Sequence, residues 1–591
     1  MTIFQTSDIH GYIYPTSYLT REENQPFGLL KVNENYLREK GRLADKSSLL
    51  ISTGDIIQGS PLTHYLQKHR HSAAAIVENM NRMGYDMAVP GNHEFNYGQE
   101  YLLNSYQNAQ FPILCANILD DTDQPFFGKP YKIFERNGIK IAVLGLTTQY
   151  IPNWEHPAHI TGLQFRSAVE TAKEYVPMLS SMADVVVVAY HGGFECELDT
   201  LEPVEQGAGE NEGYALTHEV PGIDVLLTGH QHNEIARVVN GVAVVMPGDK
   251  GRHLGKVTLD LNKYDGDEHW TLVDAVPELI SSTVDTPIQK EAAERLADLQ
   301  AEIKNWLDQP VGTIQGDMKI DSVDMARIHD HPYVEFVHRV QNYYGQTEIS
   351  AAALFNNDAK GFPNAVTVRD VLNNYPFPNT LAVVKITGAE LKAAIEQSAE
   401  FFILNEDQEI VMSKDWLYPK PKPYNYDMYE GIDYIIDVSK PIGQRVTKLN
   451  YHGQPLDLEA EFEVTLNQYR AIGGDYHMFD SSKIVREVNI GQNSNNGIPR
   501  LRGIPFFLCQ LKVCELNLNV IWRINEFRLI RRSLHTRNTY KNQSLIDIND
   551  EVADLGKMAT DNQVVFFMAD SCLLQNSLQI SLHKVLPKAD E

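Results

Sequence analysis

Five short apolar runs in the first half of the chain each lead directly into an aspartate, an asparagine or a histidine. The runs are followed by the segments Asp8-Ile9-His10, Gly54-Asp55, Gly91-Asn92-His93, His191-Gly192-Gly193 and Gly229-His230-Gln231-His232. Apolar runs that alternate with helical patterns predict α/β layers, and open sheets form their sites outside the carboxyl ends of the strands. The sequence therefore predicts an α/β fold with two sheets, whose polar strand ends meet at one edge.

The side chains at these strand ends supply imidazole, carboxylate and amide groups but no thiolate. That mixture suits Mn, Fe, Zn, Co or Ni rather than a structural thiolate zinc site. The candidate metal ligands are Asp8, His10, Asp55, Asn92, His191, His230 and His232. Each of them alone would be interpreted as an ordinary turn or loop residue. Seven ligands are too many for one tetrahedral ion, so the ordered set predicts two divalent ions that share a carboxylate, for which we choose Asp55.

The order Asp-x-His, Gly-Asp, Gly-Asn-His-Glu, His-Gly-Gly and Gly-His-x-His resembles the calcineurin-like metallophosphoesterase superfamily. Within it, residues 1 to about 490 resemble the branch of 5'-nucleotidases and 2',3'-cyclic-nucleotide phosphodiesterases. The resemblance implies a four-layer α/β/β/α catalytic domain followed by a C-terminal α/β domain of the 5'-nucleotidase type. It also implies a two-metal hydrolase of nucleotide phosphoesters, in which each ion takes four ligands. One ion would be held by Asp8, His10, Asp55 and His232, and the other by Asp55, Asn92, His191 and His230.

Two residues beside the ligands are candidate catalytic groups. His93 follows Asn92 and is not itself a predicted ligand, so it would stabilise charge on the phosphoryl group or protonate the leaving oxygen. Asn96 lies three residues further on, where many 5'-nucleotidases have an aspartate that orients the imidazole. An asparagine there looks more like the branch that opens 2',3'-cyclic nucleotides and removes 3'-phosphates. We expect that substrate class, with 5'-nucleotidase activity as the alternative.

A non-catalytic nucleotide-binding protein is the alternative of a different class. A broken ligand set would indicate it, and none of the five motifs is broken. Related scaffolds also hydrolyse sulfur esters or sugar-nucleotide pyrophosphates. Base-stacking tyrosines in the second half of the chain would favour nucleotides over those substrates.

Two runs in the second half of the chain are rich in tyrosine, 424–431 and 467–476. Aromatic rings stack on nucleobases with about 1–3 kcal/mol each and without base selectivity. The resemblance implies that two aromatic residues from these regions sandwich the base. We expect Tyr426 and Tyr476 to do so, with Tyr469 as the rival for the second place. Asn356 falls where the family has a loop that contacts the sugar or the base.

At 591 residues the chain is long enough for two or three domains. We expect the catalytic domain at 1–270 and a linker at 271–311 that contains one long amphipathic helix over 287–307. That helix could equally pack on the catalytic domain. The C-terminal domain is expected at 312–490. Residues 491–591 do not share the resemblance and could be an added domain, a partner-binding tail or the product of an altered reading frame.

Composition and charge limit the partners. A formal net charge of −27 argues against a nucleic-acid polymer or an anionic membrane surface as the main partner. A small nucleotide remains compatible, because divalent ions dominate the local field. No stretch is long and apolar enough to span a membrane, and no basic leader precedes the first strand. These features predict a cytoplasmic protein, or an exported one if a leader was trimmed. The native metal, the base preference and the oligomeric state stay open.

Overall fold

The computed structural model describes residues 1–43, 47–204, 209–264, 269–377, 379–417 and 422–488. The strands of the catalytic domain are β1 Thr2–Thr6, β2 Ser48–Ser52, β3 Met87–Ala88, β4 Ile118–Leu119, β5 Tyr131–Arg136, β6 Ile139–Thr147, β7 Gln164–Phe165, β8 Val185–His191, β9 Val225–Leu227, β10 Glu234–Val239, β11 Val242–Pro247, β12 His253–Asn262 and β13 Thr271–Ser281. Its helices are α1 Leu29–Arg42, α2 Pro61–Arg70, α3 Ala74–Met83, α4 Gly98–Tyr106, α5 Ala168–Ser180 and α6 Gly213–Glu219.

Two sheets face each other in this domain. The first sheet has the strand order β13-β12-β1-β2-β3, and the second sheet has the order β10-β11-β9-β8-β6-β5. The neighbours β1, β2 and β3 are parallel, as are β6, β8, β9 and β11. Parallel strands are buried on both faces and are therefore continuously apolar, which explains runs such as the four valines at 185–188.

Apolar side chains fill the space between the sheets and outside each of them. Ile51 of the first sheet and Val187 and Val245 of the second belong to the fully buried layer between the sheets. Helices α1 to α4 cover the outer face of the first sheet, and α5 and α6 cover that of the second. The predicted four-layer α/β/β/α arrangement is confirmed.

Three local predictions need correction. Thr271–Ser281 is β13, which pairs with β12 in the first sheet, so the sheet extends into the range expected to be a linker. The single long helix is two helices, α7 Lys290–Arg295 and α8 Ala297–Leu307. Their apolar side chains, including Trp306, join the core of the catalytic domain. They are thus both the connector and part of the catalytic domain's packing. The sequence also predicts one helix from Pro61 to about Met83, with Ser60 as its N-cap, and this stretch is likewise two helices, α2 and α3.

The C-terminal domain is built around a sheet of five strands. The strands of the whole domain, inside and outside that sheet, are β14 Pro310–Thr313, β15 Met318–Lys319, β16 Ile349–Ala353, β17 Gly361–Phe362, β18 Ala365–Thr367, β19 Leu381–Thr387, β20 Phe402–Leu404, β21 Ile410–Met412, β22 Asp427–Glu430, β23 Asp433–Ile436, β24 Val446–Tyr451, β25 Gln454–Pro455, β26 Glu461–Asn467 and β27 Ile484–Val488. The helices are α9 Val323–Ile328, α10 Pro332–Gly345, α11 Val368–Asn374, α12 Gly388–Ser398 and α13 Gln468–Ala471. The central sheet has the order β22-β16-β26-β19-β27, and the second predicted domain type is confirmed.

Two further expectations concern the limits of the chain. The tail predicted at 491–591 lies outside the described residues. Among the described helices, none has the length and apolar character needed to cross a membrane.

Candidate metal centre

The seven candidate ligands lie on loops that follow strands of both sheets. Asp8 and His10 follow β1, Asp55 follows β2, Asn92 follows β3, His191 ends β8, and His230 and His232 follow β9. Five of them have a left-handed backbone, with φ of 53° for Asp8, 50° for His10, 54° for Asp55, 69° for His230 and 60° for His232. Such a conformation costs a non-glycine residue on the order of 1–3 kcal/mol and is found mainly at functional sites. The strand ends hold the ligands in place against this cost.

The first cluster consists of Asp8, His10 and His232. The Nε2 atoms of His10 and His232 lie 3.1 Å apart. His232 Nε2 is 3.4 Å from Asp8 Oδ1, and His10 Nε2 is 3.8 Å from Asp55 Oδ2. These atoms are close enough to share one metal ion.

The second cluster consists of Asp55, Asn92, His191 and His230. Asn92 Oδ1 lies 3.0 Å from His191 Nε2 and 2.9 Å from His230 Nδ1. Asp55 Oδ2 lies 3.3 Å from His191 Nε2. Since the same oxygen also faces His10 of the first cluster, Asp55 lies between the two groups, which is the position that a bridging carboxylate requires.

The donor atoms fit a pair of cations. Asp55 Oδ2 is buried and accepts no hydrogen bond among the described residues, a costly state for a carboxylate oxygen unless a cation balances it. Burial lowers the pKa of His191, but the negative charges of Asp55 and Asp8 raise it to about 9 overall. For Asp8, burial raises the pKa, yet the hydrogen bond and charge of His232 leave it well below its usual range. The carboxylates thus create a potential that favours positive charge.

Backbone carbonyls and one carboxylate orient the imidazole rings from behind. His10 Nδ1 lies 2.9 Å from the carbonyl oxygen of Gln58, and His191 Nδ1 lies 2.6 Å from that of Thr53. A carbonyl only accepts, so each Nδ1–H donates to it and each Nε2 is left as the ligand atom. His230 has the opposite arrangement, with Nε2 2.8 Å from Glu210 Oε1 and Nδ1 facing the cluster.

Glycines allow the ligand loops to approach one another. A Cβ on Gly91 would lie 2.2 Å from Asp55 Oδ1, and a Cβ on Gly54 would lie 2.5 Å from the Gly91 nitrogen. Glu94, to which the sequence analysis gave no role, joins these loops through its buried carboxylate. It accepts hydrogen bonds from the backbone nitrogens of Asp55 at 2.9 Å and of Gly91 at 2.6 Å. In the sequence, its place in the Gly-Asn-His-Glu motif could have indicated this role.

His93 lies beside the first cluster, with its ring centroid 5.2 Å from that of His10. Its backbone nitrogen donates to Asp55 Oδ1 at 2.9 Å. Its Nδ1 lies 2.7 Å from Asn96 Oδ1, the contact expected from the sequence. Asn96 in turn donates from Nδ2 to Glu155 Oε2 at 2.8 Å. The sequence analysis did not single out Glu155, which belongs to the other sheet's loops and lies far away along the chain.

The structure does not place Tyr426 and Tyr476 as expected. Tyr426 is 5% exposed and packs on Phe401, and Tyr476 is 1% exposed. The Tyr476 hydroxyl donates to the Asn425 carbonyl at 2.7 Å, and the Arg470 guanidinium lies 3.8 Å from its ring centroid. Both rings are enclosed by the domain core, so neither presents a free face to a nucleobase. The tyrosine-rich runs show where the rings cluster, but not which ring of each run is enclosed by the domain core.

Tyr469 is half-buried and lies beside Tyr424, with ring centroids 6.2 Å apart. Burial raises the pKa of Tyr424 and of Tyr469, and the nearby charge of Glu210 raises both further. Glu210 also contacts His230 of the second cluster, so one carboxylate acts on both the tyrosine pair and the metal centre. Tyr424 lies in a short 3₁₀ helix, Pro423–Asn425, just before β22; the sequence analysis included it in the tyrosine-rich run but did not single it out.

The Asn356 side chain makes one hydrogen bond within its own loop and one to α11. Its Nδ2 donates to the Asn373 carbonyl at 2.9 Å, and its Oδ1 accepts from the Asp358 backbone nitrogen at 2.9 Å. These bonds shape the loop between β16 and β17. A contact of Asn356 with a sugar or base stays a prediction.

Comparison with known protein families gives two matches. Residues 1–234 match the calcineurin-like phosphoesterases, and residues 310–481 match the C-terminal domain of 5'-nucleotidases. The chain is 31% identical over 549 residues to a 2',3'-cyclic-nucleotide 2'-phosphodiesterase/3'-nucleotidase from Yersinia enterocolitica. The match covers 80% of this chain and 81% of that protein. The chain belongs to the 5'-nucleotidase family of calcineurin-like metallophosphoesterases. It is a metal-dependent hydrolase by family, as the sequence analysis predicted.

Other members of the 5'-nucleotidase family are similar over different lengths. The trifunctional nucleotide phosphoesterase protein YfkN of Bacillus subtilis is 27% identical over 96% of this chain, which spans 41% of that relative's length. A solved structure from Staphylococcus aureus, named as a candidate 5'-nucleotidase in complex with alpha-ketoglutarate, is 38% identical. It has a TM-score of 0.79 and covers 87% of this chain and 97% of its own.

Proposed function

We propose that the protein binds two divalent metal ions and hydrolyses 2',3'-cyclic nucleotides and 3'-nucleotides. The observation that carries the two-ion proposal is the position of Asp55 Oδ2, buried, unpaired by hydrogen bonds among the described residues and facing both clusters. Two groups of ligands that share one carboxylate are the arrangement expected of a two-metal phosphoesterase. The donor set accepts Mn, Zn, Fe, Co or Ni, and which of these is native stays open.

The residues of the chain divide the work as follows. Asp8, His10 and His232 would hold one ion, Asn92, His191 and His230 the other, and Asp55 both. When bound, such a pair lowers the pKa of a water molecule and stabilises charge on the phosphoryl oxygens. His93 lies beside the first cluster without belonging to it. It would donate a hydrogen bond or a proton to the phosphoryl or leaving oxygen as charge grows there.

The tyrosine pair supports a nucleotide as the substrate. Tyr424 and Tyr469 lie side by side on the face toward Glu210, and their rings meet edge to face at 80°. A base stacked on either ring would place its phosphate on the side of the metal centre. Stacking tolerates every base, so we expect little base preference.

Asn96 and the named relatives support the cyclic and 3' substrates. Asn96 accepts from His93 as a neutral amide, where an aspartate is typical of many 5'-nucleotidases. Relatives named 2',3'-cyclic-nucleotide 2'-phosphodiesterase/3'-nucleotidase are 30% and 31% identical to this chain, whereas the one from Vibrio cholerae named 5'-nucleotidase is 23% identical.

A second candidate function is 5'-nucleotidase activity. The solved structure from Staphylococcus aureus, at 38% identity, favours it through its name. The two functions use the same metal centre and differ in which ribose phosphate reaches it.

The test is phosphate release from 2',3'-cyclic AMP, 3'-AMP and 5'-AMP with Mn²⁺ added or chelated. The cyclic substrate is coupled to a monoesterase, so that ring opening alone is detected. We expect metal-dependent turnover of the first two substrates to exceed that of 5'-AMP. Dominant hydrolysis of 5'-AMP would select the second candidate. Nucleotide binding without turnover at any metal concentration would instead indicate a non-catalytic protein.

The remaining proposals concern partners and location. A small-molecule nucleotide is the proposed partner, and neither a nucleic-acid polymer nor a membrane is expected for a chain of net charge −27. The cytoplasmic location stays a prediction, because no feature of the described residues bears on it.

A further inference from the structure

We propose that Glu155 is a positioning residue for His93, which it controls by fixing the orientation of the Asn96 amide. The proposal rests on the function proposed above, in which His93 acts on the phosphoryl or leaving oxygen. It explains how an asparagine can orient His93 at the position where many 5'-nucleotidases have an aspartate.

Three side chains form a continuous chain of hydrogen bonds. His93 Nδ1 lies 2.7 Å from Asn96 Oδ1, and Asn96 Nδ2 donates to Glu155 Oε2 at 2.8 Å. An asparagine amide can present either its oxygen or its nitrogen to a neighbour. A carboxylate accepts only, so the edge of Asn96 toward Glu155 must be the NH₂ group. The oxygen is thereby directed to His93.

The direction of the Asn96 oxygen selects the tautomer of His93. An oxygen opposite Nδ1 requires that Nδ1 carry a hydrogen and donate it. Nε2, across the ring, faces away from Asn96 and donates to a substrate oxygen when the ring carries hydrogens on both nitrogens. With the amide reversed, its NH₂ group would favour an Nδ1 without hydrogen, so a ring that donates a proton from Nε2 would no longer have an acceptor for its Nδ1–H. The Glu155 carboxylate, two hydrogen bonds away from the ring, therefore decides whether Nδ1 of His93 carries a hydrogen.

Glu155 is itself held firmly. It is 6% exposed and lies between two short 3₁₀ helices, Ile151–Asn153 and Pro157–His159. Its second oxygen, Oε1, accepts from the His156 backbone nitrogen at 2.8 Å and lies 2.7 Å from His159 Nδ1. Both of its oxygens therefore meet donors, and the group has no freedom to turn away from Asn96.

The same segment ties other parts of the site together. Trp154, next to Glu155, lies against His230 of the second cluster with ring centroids 5.4 Å apart. His156 Nε2 lies 3.5 Å from Glu487 of the C-terminal domain. Glu155 thus reaches His93, on a loop of the first sheet, from a segment that follows β6 of the second sheet.

A Glu155→Gln substitution tests the proposal because it removes one acceptor and leaves the size unchanged. The oxygen of the introduced amide is required by the His156 backbone nitrogen, so the introduced NH₂ group faces Asn96, whose own amide must reverse. We expect kcat to fall about 10- to 100-fold with KM changed less than about threefold, a smaller loss than the about 10²- to 10⁴-fold expected for removing an acid–base group itself. The metal content by plasma mass spectrometry should stay equal to that of the wild type.

The double variant Asn96→Asp with Glu155→Gln separates positioning from a structural role. The carboxylate introduced at position 96 can accept both from His93 Nδ1–H and from the NH₂ group introduced at position 155. Both hydrogen bonds that link residues 93, 96 and 155 are then restored, with the carboxylate at position 96 instead of position 155. We expect kcat to recover to within about threefold of the wild type, a non-additive effect typical of groups in direct contact. Glu174→Gln, which alters an exposed carboxylate paired with Arg166, is the matched control and should keep wild-type kcat.

A readout independent of turnover is the tautomer of His93 in the metal-free protein. Nitrogen-15 spectra of histidine-labelled protein, assigned by the signal lost in His93→Gln, should show the Nδ1–H form in the wild type and lose it in Glu155→Gln. If wild-type His93 is in the Nε2–H form, or Glu155→Gln keeps full kcat, or the double variant is no better than the single one, the proposal is wrong. If the wild type turns over no nucleotide, the proposed function fails while the spectra still decide this proposal.

Discussion

The catalytic domain and the C-terminal domain place their candidate site residues in different kinds of position. All seven candidate ligands of the catalytic domain lie at or just after the carboxyl end of a strand, and five have a left-handed backbone. The tyrosines of the C-terminal domain lie in and around one sheet, where Tyr426 is buried and Tyr469 is half-buried. The positions of the metal ligands therefore follow from the topology of the sheets. The exposure of each tyrosine depends instead on the direction in which its own side chain points. We expect the first region to govern kcat and the second to govern KM.

The largest effect is expected from Asp55→Ala. Asp55 faces both clusters, so its loss should empty both sites together and reduce phosphate release to background. Metal content and activity of the purified variant measure this. Asp121→Ala, at an exposed loop position, should change neither. One fully occupied site in Asp55→Ala would show that the carboxylate does not bridge.

His93→Ala should separate chemistry from metal binding within the catalytic domain. His93 lies beside the first cluster but is not one of its members, so the variant should keep two ions and lose about 10²- to 10⁴-fold in kcat. Steady-state kinetics with metal analysis of the same sample checks both halves. Full activity would remove His93 from the mechanism.

Tyr469→Ala and Tyr424→Ala should act on KM alone. Losing a stacking interaction of about 1–3 kcal/mol corresponds to a rise in KM of about 5- to 150-fold for nucleotides. Hydrolysis of glycerol phosphate, which has no base, should be unaffected. Tyr343→Ala, at an exposed tyrosine of α10, is the control. An equal loss with both substrates would mean that these tyrosines support the fold and do not contact the base.

The smallest effect concerns stability toward acid. Burial lowers the pKa of His338 in the C-terminal domain to about 4, and its Nδ1 lies 2.9 Å from Ser350 Oγ. The unfolded chain, with a histidine pKa of about 6.5, binds the proton first, so stability is lost as the pH falls from about 6.5 toward 4. At pH 5 the loss is about 2 kcal/mol. Urea unfolding at pH 7 and pH 5 measures it.

His338→Gln should flatten this part of the pH dependence. The described residues of the C-terminal domain hold no candidate ligand cluster, so the effect should be the same with Mn²⁺ added or chelated. A decline that disappears on adding metal would assign the acid sensitivity to the catalytic domain instead.

The contrast between the domains also explains what the sequence could predict. The candidate metal ligands could be singled out because the apolar runs reveal the strands, and parallel strands of one layer bring their carboxyl ends together whatever the loops between them do. The order of the motifs added the family. The ligand count predicted a shared carboxylate, for which we chose Asp55, and Asp55 lies between the two clusters; bridging itself stays a prediction.

Contacts that depend on three-dimensional proximity between distant segments were not predictable. Glu155 reaches Asn96 across 59 residues of sequence, and nothing in either segment marks them as neighbours. Tyr426 was expected to face the base, but nothing in the run 424–431 shows that the domain core encloses its ring and leaves Tyr424 half-buried. Thr271–Ser281 falls in the range predicted to be a linker, because its pairing with β12 cannot be identified from the local sequence.

The central claim is that this chain holds two metal ions that share Asp55 and depends on them for phosphoester hydrolysis. The most direct measurement is a titration of the metal-free protein with Mn²⁺, in which bound metal and phosphate release from 3'-AMP are followed together. The account predicts that activity rises with binding and reaches its maximum when two ions are bound per chain, a stoichiometry that Asp55→Ala abolishes. Full activity with one ion bound per chain, or with the metal chelated, would contradict it.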